Sequence, residues 1–488
     1  MKMEIKLSML FLLLTVIFIG CSDTDSGQIS DTTTAEYSVT EEITELAETE
    51  PKSVTPNLPL MNFEGKEFVV LARLVDSGYA DWTATDITVA EQNGDPINDA
   101  VYLRNVTLED RYNFRITTAK TGTQDSYGFV TKSILAGDND YDVIAIKGSE
   151  SANLGVEGFS IDLKSLEYID LDREYWSHNV NDVMTVNDKL YSTVGDISII
   201  DNYGIRCLYF NKDILNDHGL EDPYALVKSG KWTIDKMAEM GAVVNADING
   251  DGVMGLEDRY ETMSQRTLGT ILSIGGGVKI VGKDNNNSPV LTIDNERSIN
   301  VVNYMREYTN NKDRVYMSDD WQSMLVRFNN ELSMFYAEVL LHIETMRGYE
   351  MEIGLLPVPK YDEAQEVYWQ FLDSYCCNFY SIPITNTTPD DAAFFLEAMS
   401  AESMNTLTPA FYDICLNGKY LRDEESSEML DIILESYVVE FSDIFRLSIY
   451  QGLIDNILKD VDVVSFLASS LDKAQTELNT LIEKYSAN

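Results

Sequence analysis

The apolar positions of the chain first become organised at KEFVVLARL, residues 66 to 74, a nearly continuous run behind Gly65. A run of that kind predicts a strand covered on both faces. Asp95 and Pro96 follow as a cap and a first-turn proline, and Ile97, Val101, Leu108 and Tyr112 then recur at helical spacing. ITTAK from Ile116 and YDVIAI from Tyr141 predict a second and a third strand. Strand, helix, strand, helix, strand implies a mostly parallel α/β sheet, because parallel neighbours need a crossover. KLYSTVGD from Lys189 and IRCLYFN from Ile205 are further strand candidates. Trp232 to Val244 predicts an amphipathic helix capped by Thr233, with Ile234, Met237 and Val244 on one face. Helices are also predicted over Met324–Arg347, Asp390–Met404, Ser427–Tyr437 and Leu453–Tyr485, and no internal repeat is visible.

The ends of this pattern carry an address. Lys2 and Lys6 precede an apolar run, Leu7 to Ile19, that stops at Gly20-Cys21. That run is shorter than the roughly 20 residues a membrane span requires and has signal-peptide proportions. It resembles a bacterial lipobox, in which Cys21 becomes the lipidated N-terminus, although Phe18 and Ile19 depart from the usual pattern. Residues 1–20 are thus expected to be a lipoprotein signal peptide. Residues 21–60, rich in Ser, Thr and Glu, are expected to be a disordered tether. The chain is placed on the extracellular face of the cell membrane, anchored by lipid on Cys21.

Composition narrows the class. About 430 residues beyond the tether suffice for two or three domains or one two-lobed protein, and 44% hydrophobic residues can fill a large core. A net charge of −45 argues against nucleic-acid partners, whose phosphates need Lys and Arg. Beyond Cys21 there are Cys207, Cys376, Cys377 and Cys415, without metal-ligand spacing. Buried free thiols are the plainer reading, and a disulfide from Cys207 stays open.

One stretch has metal-ligand order. DINGDGVMGLED, residues 247 to 258, places Asp247, Asn249 and Asp251 at positions 1, 3 and 5 of a calcium loop. Gly252 stands at the turn, the Val253 carbonyl at position 7 and Asp258 at position 12. Asp in place of Glu at position 12 is closer to dockerin loops than to an EF-hand. The loop occurs once, so it reads as a structural Ca2+ clip at one site rather than a sensor. The alternative is a metal-free Asn/Asp/Gly turn.

Several segments in order resemble a known family. LYFNKDIL from Leu208, GKWTIDKM from Gly230, FNNELSMFYAEV from Phe328, GLLPVPKYDEAQEVYW from Gly354 and LRDEESSEMLDII from Leu421 carry the likeness. Together, over residues 61 to 450, they resemble the extracellular solute-binding proteins of family 1. These are maltose-binding-like lipoproteins of ABC sugar importers, here of clostridial type. The resemblance implies an α/β, two-lobed periplasmic-binding-protein-like fold of type II, with the ligand cleft between lobes joined by a multi-strand hinge. Crossings are expected near Tyr203, Phe335 and Cys377. That gives an N-terminal lobe of 61–203 plus 333–376 and a C-terminal lobe of 204–332 plus 377–488. It also implies a monomer that captures a small carbohydrate and delivers it to ABC transporter permease subunits.

Candidate ligand residues follow from position: in loops after strands, before a helix, or near an expected crossing. They are Asp81 and Trp82, Glu150, Asp196, Trp321, Glu338, Trp369 and Asp373. For each aromatic the plainer reading is core packing, and for each acid a solvated surface charge; Trp232 is read as core. Only three histidines occur, and no nucleophile elbow, phosphate loop or His-based metal motif is present. The chain is therefore read as a non-enzyme. The alternatives are a calcium-stabilised surface glycoside hydrolase built on an acid pair, or a non-transport adhesin or sensor binding protein.

Overall fold

The computed structural model describes residues 53–73, 82–122, 125–346, 348–417 and 424–487, without the side chains of 415–417 and 424. The three apolar runs become neighbouring strands. β1 (Lys66–Ala72) pairs in parallel with β2 (Phe114–Lys120) on one side and with β3 (Val143–Lys147) on the other. β12 (Asn378–Ser381) joins β3 antiparallel, giving the order β12-β3-β1-β2. Phe68, Val70 and Val143 face Phe394, Phe395 and Met399 of the helix Pro389–Asn417. Leu71, Ile144 and Ile146 face a smaller cluster holding Val130 and Ile134 of the helix Ser126–Ala136. Cover on both faces is the reason these strands read as unbroken apolar runs. The helix Pro96–Tyr112 starts as expected, the Asp95 carboxylate accepting from the Asn98 N–H, and it ends on left-handed Asn113.

The second sheet runs β10-β4-β9-β5-β8. Its strands are β4 (Arg206–Asn211), β5 (Tyr260–Ser264), β8 (Val315–Met317), β9 (Ser333–Val339) and β10 (Ile353–Leu356). β5 is parallel to β8 and β9, whereas β4 is antiparallel to β9 and β10. Trp232 is core, as expected: it is fully buried and its Nε1 donates to the Pro357 carbonyl at 2.9 Å. Thr233 caps the helix Ile234–Val244. A hairpin of β6 (Val281–Lys283) and β7 (Pro289–Leu291) and a short parallel pair of β11 (Gln370–Phe371) and β13 (Tyr437–Val438) complete the strands described.

The two sheets define two lobes, and the chain passes between them near Tyr203 and near Cys377. At these crossings Ile205 and Leu372 form an isolated antiparallel bridge. The helix Pro389–Asn417 packs on the helix Pro96–Tyr112, and the helix Glu424–Glu435 packs on β10. The expected crossing near Phe335 is corrected. Phe335 sits in the middle of β9, paired to β4 and β5, and all seven residues of β9 are buried. Residues 333–372 therefore belong with the second sheet, and 377–417 with the first. The helix Val463–Ala487 packs against both lobes. Its Leu478, Leu481 and Tyr485 share a core with Val156 and Tyr191, and the Tyr485 hydroxyl donates to the Met184 carbonyl.

Four further expectations change. Met324–Arg347 is not one helix: Trp321–Asn329 ends where Glu331 turns left-handed (φ 58°), β9 follows, and His342–Met346 is a separate turn of helix. Leu453–Tyr485 is two helices, Ser448–Leu458 and Val463–Ala487, separated at left-handed Asp460. Lys189–Asp196 makes only isolated bridges, such as Thr193 with Tyr380. Residues 53–60 of the expected tether are placed. Val54 exchanges hydrogen bonds with Asn405, and Leu58 packs on the first core. The signal peptide and Cys21 lie outside the described residues. Cys376 and Cys377 are buried free thiols, Cys207 is buried, and the side chain of Cys415 lies outside those described.

Candidate ligand cleft

In open α/β sheets, ligands gather beyond the carboxyl ends of the strands, at the point where strand order reverses. β1 is that point in the first sheet, since β2 leaves on one side and β3 on the other. Arg73 follows β1, and Lys147 with Gly148–Glu150 closes β3. In the second sheet the carboxyl ends of parallel β5, β8 and β9 lead into Gln265, Trp321 and Glu338–His342, and antiparallel β4 contributes its first residue, Arg206. These ends converge on a cavity of about 280 Å3. Its wall includes Trp82 from the first lobe, Arg206, Gln265, Trp321, Glu338 and His342 from the second, and Asp373 and Tyr375 from the turn at the crossing.

Four of the eight ligand residues expected from the sequence meet here: Trp82, Trp321, Glu338 and Asp373. Glu150 is adjacent, paired through Lys147 Nζ at 3.2 Å, and that ammonium lies 5.0 Å from the Tyr375 ring. Asp196 lines a different cavity, and Trp369 packs near Lys279 in the second lobe. Asp81 lies outside the described residues. Arg206, Gln265, His342 and Tyr375 were not anticipated. The one signal for Arg206 is a single cation at the start of the apolar run CLYFN.

Arg206 is the electrostatic centre of the floor. Its Nη1 reaches both Glu338 oxygens, at 2.7 and 3.0 Å, and its Nη2 lies 3.6 Å from Asp373 Oδ2. Burial works against the guanidinium charge, but Glu338 and Asp373 outweigh it and keep the group protonated. Burial also holds the Glu338 carboxyl above its usual range, partly offset by Arg206. One wall is an aromatic ladder. Trp321 stacks on His342 (centroids 5.3 Å, 30°), and His342 stacks on Tyr336 (5.8 Å, 8°). The Tyr336 hydroxyl lies 3.0 Å from His342 Nδ1. Burial, and then the Arg206 charge, push the imidazole down to about 3, so it is neutral at physiological pH. Across the cleft Tyr375 is held between Arg73, 4.9 Å from its ring, and Lys147. The Trp82 carbonyl accepts from Asn378 Nδ2 at 3.3 Å. The result is an aromatic-walled slot with fixed polar groups on its floor.

The loop at 247–258 lies at the opposite end of β5, closed by a bridge between Ala246 and Arg259. Asp247 accepts from the Gly250 and Gly252 amides, Asn249 from Asp251 and Asp251 from Val253. Asp258 accepts from Ile248, Asn249 and Gly255. Burial would raise the Asp258 carboxyl, but these three amides hold it below the usual range. Donor types and order fit calcium, and Gly250 and Gly252 are left-handed (φ 73° and 83°), as tight loops require. Among the described residues, however, no three acidic, imidazole or thiol side chains gather closely enough to hold a metal ion.

Comparison with known proteins places the architecture. No protein-family model matches the chain, and no curated protein matches it. Solved structures do. M. tuberculosis UspC superposes with a TM-score of 0.55 at 13% identity, covering 84% of this chain and 100% of that one. UgpB from Mycobacterium tuberculosis, in complex with glycerophosphocholine, gives 0.54 at 14%, covering 86% and 99%. A cyclo/maltodextrin-binding protein complexed with maltotetraose gives 0.53 at 11%, covering 87% and 97%. The chain has the two-lobed fold of the substrate-binding proteins, over nearly their whole length.

Proposed function

We propose that this chain is an extracellular solute-binding protein. It captures a carbohydrate between its lobes and hands it to the permease subunits of an ABC importer while held to the membrane by lipid on Cys21. The observation that carries this reading is the cleft itself, where Trp82 and Trp321 approach from opposite lobes above a fixed polar floor. Indole faces suit the apolar CH patches of a sugar ring, and a few placed polar groups suit its hydroxyls. With Nδ1 engaged by Tyr336, His342 offers Nε2 to such a hydroxyl. Asp373 and Gln265 supply further partners. A ligand that touches both lobes favours their closed arrangement. The fold shared with a maltotetraose-bound protein supports the class. Calorimetric titration with mono- and oligosaccharides tests the reading: saturable binding without product supports it. Turnover would transfer the cleft to a glycoside hydrolase, and binding to polymer alone would favour an adhesin.

We infer also that residues 247–258 hold one structural Ca2+. Asp247, Asn249, Asp251, the Val253 carbonyl and Asp258 are the ligands, drawn together from their present amide contacts. The support is the order of oxygen donors around two left-handed glycines.

A further inference from the structure

A second cavity, of about 510 Å3, shares no lining residue with the cleft. It lies where Glu174–Asn179 and Gly195–Asn202 of the first lobe meet the helix Pro389–Asn417 and the start of β13. Asp196, Asp201, Trp176, Tyr412 and Tyr437 are among its walls, and His178 is the one basic side chain there.

The two aspartates are unusual in their surroundings. Asp201 is 3% exposed, and its Oδ1 has no hydrogen-bond partner among the described residues. Buried carboxylates normally have a cation or several donors beside them, since an unpaired buried charge is costly. Here Asp201 has Asp86 and Asp196 as charged neighbours, with only the backbone amides of Asp201 and Asn202 to donate to it among the described residues, while Asp196 accepts from the Thr408 hydroxyl. Burial pushes both carboxyls up, Asp196 to about 7, and Asp86 and Asp196 add repulsion at Asp201. Aromatic rings complete the wall, and ring faces attract cations. Among the described residues, no group of three metal-ligating side chains is gathered at this cavity. The volume also exceeds what a bare ion needs.

We infer that this cavity binds a small organic ammonium ion, an amine or diamine, whose N–H groups meet Asp201 and Asp196 and whose alkyl part lies against Trp176, Tyr412 and Tyr437. Tyr437 comes from the second lobe, so the ligand spans the crossing at Ile200–Tyr203 and ties the lobes at a place other than the cleft.

The test is calorimetric titration of the full chain with putrescine in about 0.15 M NaCl, which screens attraction to the exposed acids. One saturable site per chain is expected. Asp201→Asn and Asp196→Asn, both close to isosteric, should each weaken it about tenfold or more. Trp321→Ala, in the cleft, should leave it unchanged. Far-UV circular dichroism and melting curves identify any variant that fails to fold, and the other aspartate variant then decides. Absence of saturable binding would overturn the inference. So would binding of equal strength in a folded aspartate variant, or binding lost in Trp321→Ala alone, which would place the amine in the cleft.

Discussion

Arg206 and Glu338 lie one register step apart on antiparallel neighbours β4 and β9, two nitrogen–oxygen contacts of 2.7 and 3.0 Å joining side chains 5% and 1% exposed. The pair fixes the cleft floor and ties up both Glu338 oxygens. Removing one partner of such a pair leaves a bare buried charge. Arg206→Leu should therefore cost about 3–5 kcal/mol of stability, read as a lower urea midpoint. The double variant Arg206→Leu with Glu338→Leu should recover much of that loss, because apolar pairs of similar volume can replace a buried ion pair. A single variant as stable as the parent would show that the pair is not formed.

The Trp321–His342 stack makes a second expectation. If the indole is the sugar platform, Trp321→Ala should weaken carbohydrate binding by about 2 kcal/mol, roughly thirtyfold in Kd, with Trp321→Phe between the two. Titration calorimetry reads this directly. The melting temperature should move little, since Trp321 starts a helix and is only half-buried.

Stability should fall as pH rises, in part through Asp443. Its carboxylate accepts from the Ser374 amide at 2.9 Å, and burial first, then Asp373, push it up to about 8 from the usual 3.8. The folded chain thus holds a proton that the unfolded chain has released between those values. That contribution is complete below about pH 4 and lost as pH climbs through about 8, with a slope of at most about 1.4 kcal/mol per unit. Asp443→Asn should flatten the fall, measured as urea midpoints at pH 5, 6, 7 and 8. An unchanged slope would place Asp443 in a less buried setting.

Calcium should act on stability and not on the ligand. The loop opens β5 at Tyr260, whereas Gln265 at the cleft follows the other end. At a hundred times its Kd, calcium should add about 2.7 kcal/mol to stability. Chelation should lower the melting temperature and leave sugar affinity unchanged. Loss of affinity with the fold intact would contradict the clip.

The sequence pattern shows why some of this was readable and some was not. β1, β2 and β3 are short apolar runs between turn residues, and their local pattern agrees with their parallel pairing. β9 conflicts with its local pattern: Met324, Phe328, Leu332 and Phe335 keep helical spacing, so the segment reads as helix. What makes it a strand is its place between β4 and β5, a long-range pairing that overrides propensity. The lobe assignment of 333–376 failed for the same reason. Trp82, Trp321 and Asp373 stand in the sequence as loop or crossing residues with binding chemistry, whereas Glu338 stands near an expected crossing at Phe335 and reaches the cleft instead from the end of β9. Arg206 and His342 do not stand out, because an arginine inside an apolar strand and a histidine between strand and helix gain meaning only when β4 and β9 are adjacent. Asp196 was chosen as a post-strand acid, but Lys189–Val194 forms no strand to aim it at the cleft.

The most direct measurement is titration of the full chain with a panel of mono- and oligosaccharides, with product analysis, beside Trp321→Ala and Trp82→Ala. The account predicts saturable binding of one sugar class, no product, and marked weakening in both variants, since the two indoles come from opposite lobes. No binding by any sugar, or binding untouched by both substitutions, would contradict it.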